Sequence, residues 1–373
     1  MGSRIKHIQE YLQDNALDAF LVMTKINRQY VSGFTGSAGV VVITPSPHGV
    51  RGAALFVDDR YLIRARRESG LQVNSLSSLP IYRPINGRTT RIGVEDRITL
   101  REFKWLKKTL KARFASTKDV VEKMRAVKVA EEIKHIIKAQ RINDEIFKHI
   151  IRLLKKNAPS LPLFNQRGGR EEFTEAAVAL EMERYAKKLG ADGMAFDSIV
   201  AFGANAAAPH HLSSNKKIAP NNFLLLDFGV MVEGYHSDFT RTLFIGKPDK
   251  KQETVYNTVL EAQVRGIREI GEIGTEAALV DAAARGHIER AGFGKYFTHN
   301  TGHGVGLEIH ELPNFSPKSE DVLERNMIVT IEPGIYIEKW GGVRIEDMVL
   351  VGEKGPVVLS KTAKDLRSMI IKF

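Results

Sequence analysis

The most informative absences in this 373-residue chain are those of cysteine and of long apolar runs. Without cysteine the chain can form no disulfide bond, hold no zinc ion through thiolates and use no cysteine nucleophile. No apolar run approaches the roughly 20 residues that a membrane-spanning helix needs. The first residues, MGSRIKHIQEYLQDN, lack the apolar centre of a secretion signal. These absences predict a cytoplasmic protein that does not enter a membrane.

Charge is unbalanced, with 55 lysines and arginines against 44 acidic residues and a net charge of +11. Such an excess is one signature of nucleic-acid binding. Here the basic residues are spread along the chain, and where they cluster, in residues 101–138, they alternate with acids on helical sequence. No zinc-finger motif, RNA-binding motif or arginine-rich tail accompanies them. The charge therefore indicates a solvated basic surface, and nucleic acid is not an expected partner.

The length favours two domains, because 373 residues exceed what one ordinary hydrophobic core supports. In residues 1–123 helical and extended patterns alternate, which predicts a small α/β domain. Its expected elements are an amphipathic helix at the start, strands within residues 16–23, 30–44, 52–62 and 91–96, and a helix at 100–110. Helical periodicity then runs from residue 120 to 156 as one predicted helix. We place the boundary near Lys123, so that residues 124–373 form the second domain.

One pattern occurs twice inside the second domain. The tetrapeptide Thr-Glu-Ala-Ala is found at residues 174–177 and again at 275–278. In both copies the threonine is suited to cap the start of a helix, and a glycine, Gly190 or Gly292, is suited to end it. A loop containing histidine and an apolar hairpin with two acids follow in each copy. This order predicts an α+β domain with pseudo-twofold symmetry.

In the second copy, Glu332 and Glu346 lie in apolar, strand-like sequence on either side of a turn centred on Lys339. Their equal distance from the turn predicts that they lie opposite each other, with β carbons about 5 Å apart. A buried carboxylate is unfavourable unless a cation or hydrogen bonds compensate it. The pair is therefore predicted to be two metal ligands, or an acid and a base.

In the first copy, Asp227 and Asp238 occupy the same kind of position in the sequence. A two-residue turn at 232–233 would set them directly opposite, and a turn at 233–234 would set them diagonally on one face. Both alternatives bring the two aspartates to the same side of the hairpin. The repeat therefore presents four carboxylates near its midline.

Four carboxylates in such a cluster need cations, because like charges at short range raise one another's pKa until some protonate. Two divalent ions would balance the four negative charges and form a two-metal hydrolytic centre. Oxygen ligands with at most one imidazole suit manganese, cobalt, zinc or iron(II) better than copper. Manganese is our first expectation.

Three histidines are candidates for this centre. His303, in TGHGVG, can supply the nitrogen ligand, since the glycines let the backbone approach; a satisfied loop histidine is the alternative. A dinucleotide loop is not expected, because the flanking strand and helix are missing. His210 lies 36 residues after Thr174, and His310 lies 35 residues after Thr275. As counterparts in the repeat they could move a proton to a leaving amine and stabilise an oxyanion, unless they are ordinary surface histidines.

Five segments together resemble the creatinase/aminopeptidase P/prolidase family of metallopeptidases: LLLDFG, HSDFTRT, NTGHGVGLEIHE, VTIEPGIYI and GVRIEDMV. They occur in the family's order. The segments YVSGFTGSAGVVVIT and LFVDDRYL are similar to the N-terminal domain of the family's Xaa-Pro aminopeptidases. The resemblance implies a pita-bread catalytic domain with an internal pseudo-twofold repeat, preceded by a smaller, non-catalytic α/β domain of the creatinase type.

The resemblance also implies roles for single residues. Asp227 would bind one ion, Asp238 and Glu346 would bridge both, and His303 and Glu332 would complete the other. A hydroxide bridging the ions would attack an Xaa-Pro bond at the N-terminus of a peptide, with Glu332 as general base and with His210 and His310 handling the substrate. Tyr336 and Arg344 would line the site or support its ligands, although an exposed strand arginine is the alternative for Arg344. The family further implies a homodimer.

Three alternatives remain open on the sequence. The chain could be a dipeptidase that cleaves only Xaa-Pro dipeptides, since the sequence does not show whether the far side of the site is open. It could be a metal-free binding module on the same fold, helped by its basic charge. Amidinohydrolysis of a creatine-like substrate is disfavoured, because all five ligand positions are intact. Finally, His211 stands where related sequences often have glycine, and it could narrow the pocket or add a polar contact.

Overall fold

The computed structural model describes residues 2–45, 52–81, 90–157, 162–164, 170–271 and 273–372. The chain separates into two compact units, Met1–Arg125 and Ala126–Phe373. Within the described ranges, every helix is too short or too polar to cross a membrane.

The first unit is built on one six-stranded sheet. Its helices are α1 (Gly2–Asp14), α2 (Lys25–Ser32), α3 (Leu62–Glu68), α4 (Leu100–Thr109) and α5 (Val120–Ala126), and its strands are β1 (Ala19–Val22), β2 (Gly39–Ile43), β3 (Ala53–Val57), β4 (Gln72–Ser75), β5 (Arg91–Glu95) and β6 (Arg113–Thr117). The strand order is β4-β3-β2-β1-β5-β6. The pairs among β1, β2 and β3 are antiparallel, and the other pairs are parallel. Helix and strand alternate as predicted for an α/β domain.

Residues 30–44 differ from the predicted strand. Helix α2 includes the first three of them and ends at Gly33, whose φ of 79° is left-handed. Strand β2 begins only at Gly39. The prediction was wrong at its start because the buried Tyr30 and Val31 suit the apolar face of a helix as well as they suit a strand.

The helix predicted over residues 120–156 is in fact two helices, α5 and α6 (Ala130–Asn157). Between them Val127 forms an isolated β-bridge with Met327, and the Lys128 amide donates a hydrogen bond of 3.1 Å to Asn326 O. The Lys128 side chain is buried, and its Nζ lies 3.2 Å from Glu311 Oε2. The helix stops because residues 127–128 bond instead to a distant segment.

The second unit has further helices α7 (Glu175–Lys188), α8 (Lys250–Glu269), α9 (Ala277–Arg290) and α10 (Leu366–Met369). Its strands are β7 (Pro162–Phe164), β8 (Arg170–Glu172), β9 (Gly193–Met194), β10 (Ile199–Phe202), β11 (Asn222–Phe228), β12 (Val230–Val232), β13 (Tyr235–His236), β14 (Phe239–Ile245), β15 (Gly302–Gly304), β16 (Glu311–Phe315), β17 (Ile328–Ile331), β18 (Gly334–Ile337), β19 (Gly341–Arg344), β20 (Asp347–Gly352), β21 (Gly355–Val358) and β22 (Ile370–Ile371). The larger sheets have the orders β10-β11-β14-β22 and β16-β15-β17-β20-β21. Each larger sheet therefore has one acidic hairpin at its centre.

The two copies of the repeat fold alike, with one difference at the helix starts. Helices α7 and α9 are both followed by a left-handed glycine, Gly190 with φ of 84° and Gly292 with φ of 83°. Thr174 caps α7 as predicted, since its hydroxyl accepts a hydrogen bond from the Ala177 amide. The predicted cap Thr275 is wrong, because the N-cap residue of α9 is Glu276. The second helix therefore begins one residue later in the repeat.

Candidate metal centre

The first acidic hairpin places two aspartates on one face. Strands β11 and β14 are antiparallel, and Asp227 pairs with Thr240. The turn consists of residues 233–234, which both have positive φ, 51° and 75°, as a tight type I′ hairpin turn requires. Asp238 therefore lies diagonally across from Asp227, which is the second of the two predicted arrangements. Both carboxylates are buried.

The second acidic hairpin is symmetric about Lys339, which has a φ of 62°. Strands β17 and β20 pair Ile331 with Asp347, so Glu332 and Glu346 lie directly opposite each other. Regular pairing is interrupted at these two glutamates and resumes in β18 and β19. The interruption lies where Pro333 would otherwise have to donate to the ladder, which proline cannot do.

His303 lies on β15, between two glycines whose backbone touches neighbouring strands. A β carbon on Gly302 would lie 2.0 Å from Thr330 O, and one on Gly304 would lie 2.0 Å from Leu312 O. Only glycine fits at either position. The ring nitrogen Nδ1 of His303 lies 3.0 Å from Gly304 O, to which it donates a hydrogen bond. This bond orients the ring so that Nε2 faces the acidic side chains, where it can act as a metal ligand.

Asp227, Asp238 and Glu346 form a tight carboxylate cluster, with one oxygen of each within 4.8 Å of the others. Burial raises the pKa of all three carboxyl groups above the ordinary value, and mutual repulsion adds to the pKa increase at Asp238 and Glu346. In the described part of the chain, no hydrogen-bond donor reaches Asp227 Oδ1 or Glu346 Oε1. Clustered carboxylates with buried oxygens that lack a donor are suited to bind hard cations.

His303 joins this cluster to the fourth acid. Its Nε2 lies 3.1 Å from Glu332 Oε1 and 3.6 Å from Asp238 Oδ2. Burial opposes charge on both members of the His303–Glu332 pair, but their hydrogen bond raises the pKa of His303 and lowers that of Glu332. Thr330 holds both residues, since its hydroxyl donates to Glu332 Oε1 and accepts from the His303 amide. The five predicted ligands thus meet at one place.

A buried arginine supports the cluster from behind. Arg344 is 3% exposed; it donates hydrogen bonds to Asp227 Oδ2, to Tyr336 Oη at 2.6 Å and to Thr240 Oγ1 at 3.2 Å. The Thr240 hydroxyl in turn donates to Glu346 Oε2 at 2.7 Å. Arg344 is therefore not an exposed strand arginine, and it fixes the orientation of two acidic side chains.

A cavity of about 550 Å³ opens onto the cluster. It is lined by all five predicted ligands and by His210, His310 and Arg344. The rings of His310 and His303 are 4.3 Å apart. Tyr336 is not among the lining residues; it lies behind Arg344. The structure therefore brings both histidines of the repeat to the cavity.

Sequence reasoning missed His299, which also lines the cavity. Its Nε2 lies 2.8 Å from Tyr336 Oη, and burial lowers its pKa. The available signal was its position four residues before His303. Asp197, Asn300 and Asn314 also line the cavity and were not predicted.

The chain is similar to known proteins over both of its units. Metallopeptidase family M24 matches residues 134–353, and the Creatinase/Prolidase N-terminal domain matches residues 4–127. An Xaa-Pro dipeptidase of Pyrococcus horikoshii is 36% identical over 98% of this chain and 99% of its own length. The solved Xaa-Pro dipeptidase from Bacillus anthracis has a TM-score of 0.87 and 35% identity, with 99% of each chain covered.

The X-Pro aminopeptidase from Thermotoga maritima has a TM-score of 0.81 and 31% identity over 96% of this chain and 98% of its own. These likenesses confirm the predicted fold class, a creatinase-type α/β domain followed by a catalytic domain with an internal repeat. With a family match over more than half its length and relatives matched from end to end, the chain belongs to metallopeptidase family M24.

Proposed function

We propose that the chain is a metal-dependent exopeptidase that hydrolyses the bond between an N-terminal residue and a following proline, as an Xaa-Pro aminopeptidase. The observation that carries the proposal is the convergence of four carboxylates and His303 on one cavity. The names of relatives support proline specificity, since one is an X-Pro aminopeptidase and others are Xaa-Pro dipeptidases.

The donor set fits two divalent ions. Asp227 would hold one ion, Asp238 and Glu346 would hold both, and His303 and Glu332 would hold the other. When bound, the ions supply Lewis acidity and an activated water. We propose manganese first, with cobalt, zinc or iron(II) as alternatives, because oxygen donors dominate the set.

The side chains have separate tasks in this proposal. Glu332 accepts the proton of the attacking water, since its Oε1 faces the cluster beside His303. His310, next to His303, and His210, on the cavity wall, bind the substrate carbonyl and deliver a proton to the leaving nitrogen. Arg344 and Tyr336 hold Asp227 in place.

The cavity favours an aminopeptidase over a dipeptidase in one respect. Among the described residues that line it, Arg344 is the one arginine or lysine, and its guanidinium already bonds Asp227, Thr240 and Tyr336. The C-terminal carboxylate of a dipeptide would meet no uncommitted guanidinium or ammonium group there. The Xaa-Pro dipeptidase remains the second candidate, because two of the compared relatives carry that name.

The experiment compares Xaa-Pro with Xaa-Pro-Xaa after the protein is loaded with manganese or cobalt, with the Glu346→Gln variant as inactive control. Hydrolysis of the tripeptide supports the aminopeptidase. Hydrolysis of the dipeptide alone would establish the dipeptidase instead. A protein that binds no metal and cleaves neither substrate would be a binding module on the same fold.

The division into residues 1–123 and 124–373, a homodimeric state and a cytoplasmic location are further proposals. They rest on periodicity, on the family resemblance and on the sequence respectively. Limited proteolysis, sedimentation equilibrium and cell fractionation test them in that order.

A further inference from the structure

The carboxylate of Glu175, at the start of α7, is buried and accepts hydrogen bonds from several residues of one chain segment beside the cavity. Glu175 is 0% exposed. Its carboxylate accepts five hydrogen bonds, from the Phe202 amide at 2.7 Å, Asn205 Nδ2 at 2.9 Å, His211 Nε2 at 2.8 Å, the Ser214 amide at 3.0 Å and Ser214 Oγ at 2.6 Å. Burial alone would raise its pKa, but hydrogen bonds from Ser214, Phe202 and His211 lower the pKa below the ordinary value. Glu175 is therefore a charged anchor.

All of these donors lie in residues 202–214, which include His210. Of the four donor residues, only His211 also lines the cavity. Its side chain is 17% exposed, so one edge of the ring faces the cavity while Nε2 donates to the anchor. His210 is exposed and directly precedes it. The backbone that presents His210 is held at three points. Arg344 Nη1 donates to Pro209 O at 3.5 Å, the His211 amide donates to Ala208 O at 3.2 Å, and the bond from His211 to Glu175 holds the segment from the side chain.

We propose that His211 is a positioning residue: by donating to Glu175, it holds the backbone at Pro209–His210 so that the His210 imidazole faces the substrate. The proposal rests on the proposed function, in which His210 touches the substrate. On the sequence, His211 could narrow the pocket or add a polar contact. In the structure the imidazole makes its polar contact with Glu175 of the protein, so we assign it a positioning role.

The chain offers a matched control. His149 makes the same kind of bond, with Nε2 2.6 Å from Glu181 Oε1, and its side chain is 20% exposed. It lies on α6 and does not line the cavity. Replacing His149 by alanine removes a histidine–glutamate bond without touching the cavity wall.

The first test is a double-mutant cycle on an Xaa-Pro-Xaa peptide with the metal-loaded enzyme. We expect His211→Ala to lower kcat by roughly 10- to 100-fold with KM changed by less than about threefold, since small misplacements of a reacting group cost this much. His211→Gln, whose amide can donate to Glu175, should recover most of the loss. His149→Ala should leave kcat unchanged. In a His210→Ala background, His211→Ala should have no further effect.

The second test does not depend on activity. Imidazole NMR signals of His210 in the metal-free protein should shift or broaden in His211→Ala, return towards the wild-type position in His211→Gln and stay unchanged in His149→Ala. If His211→Ala leaves both kcat and the His210 signals unchanged, the proposal is wrong. It is also wrong if His211→Ala slows the His210→Ala variant by its full factor. Failure of the wild-type enzyme on every Xaa-Pro substrate would overturn the proposed function, while the NMR shifts would still decide the role of His211.

Discussion

Glu332 and Glu346 lie directly opposite each other across a hairpin whose regular pairing is interrupted at these two residues. The Glu332 amide donates instead to Thr301 O at 2.8 Å, and the Glu346 amide to Thr240 O at 3.2 Å. Each glutamate is therefore joined to a segment that carries or adjoins another ligand. The backbone amides at which the hairpin pairing is interrupted therefore bond the segments that carry the other ligands.

Glu346→Gln tests the bridging role directly. The change keeps the size of the side chain and removes one charge, so we expect the metal content to fall below two ions per chain. We expect kcat/KM to fall about 10³-fold, because several kcal/mol of charge stabilisation depend on the ions. Elemental analysis and steady-state kinetics measure both effects. Glu338→Gln, at the exposed tip of the same hairpin, should change neither, and full metal content in Glu346→Gln would contradict the assignment.

Removal of metal should lower thermal stability. The cluster of Asp227, Asp238 and Glu346 repels itself without cations, and a ligand at a hundred times its Kd stabilises the folded state by about 2.7 kcal/mol. For a unit of this size that corresponds to roughly 5–10 °C in Tm. Calorimetry with chelator, and then with manganese restored, measures the shift. Equal Tm values in both conditions would show that no ion binds the folded state.

Arg344→Lys should weaken the site without abolishing it. Lysine cannot reproduce the four hydrogen bonds that the guanidinium makes, which go to Asp227, Tyr336, Thr240 and Pro209 O. We expect a loss of about 10- to 100-fold in metal affinity or activity, as is usual for groups that orient metal ligands. Chelator competition measures the affinity. Arg265→Lys, at an exposed ion pair on α8, is the matched change and should have no effect.

Splitting the buried ion pair at the break between α5 and α6 should lower the free energy of unfolding. Lys128 and Glu311 have side chains only 1% and 3% exposed. Lys128→Met removes the ammonium group 3.2 Å from the buried Glu311 carboxylate, and breaking a buried ion pair typically costs about 3–5 kcal/mol. Lys187→Met, at the exposed pair with Glu183, should cost no more than about 1 kcal/mol. Urea denaturation compares the two variants, and equal losses would refute the role of burial.

Glu175 makes stability depend on acid pH. Its pKa is lower in the folded state than its ordinary value of 4.5, so the folded state favours the ionised form. This contribution is fully present above pH 4.5 and is lost as the pH falls through the lowered folded pKa. In Glu175→Gln the free energy of unfolding should therefore differ most from wild type above pH 4.5 and converge below it. Denaturation between neutral and acid pH measures this, and a constant difference would contradict it.

The acidic hairpins could be predicted because strand geometry has a fixed period. Alternation of side chains places Asp227 and Asp238 on one face for either turn, but which turn forms depends on a left-handed Glu233, a conformation that its side chain does not favour. The positions of Glu332 and Glu346 needed only their symmetry about Lys339. The local sequence pattern was therefore sufficient to predict that the two carboxylates of each hairpin lie on one face.

Features fixed by distant contacts could not be predicted. Helical periodicity continues without interruption through the break between α5 and α6. The residues that cause the break, Asn326 and Met327, lie about 200 residues away in the chain. The failure of Thr275 as a cap has the same origin, since Glu276 instead forms a bridge with Val322. Such choices between equally good local structures are made by tertiary pairing.

The glycines beside His303 restrict how this centre can change. Because a β carbon at Gly302 or Gly304 would collide with a carbonyl oxygen at 2.0 Å, the ligand cannot be moved by one position along β15 without separating strands of the sheet. His303 is the one position of this three-residue strand at which a side chain is tolerated. Transplanting or redesigning the metal site therefore means carrying over the packed backbone of β15 as well as the imidazole.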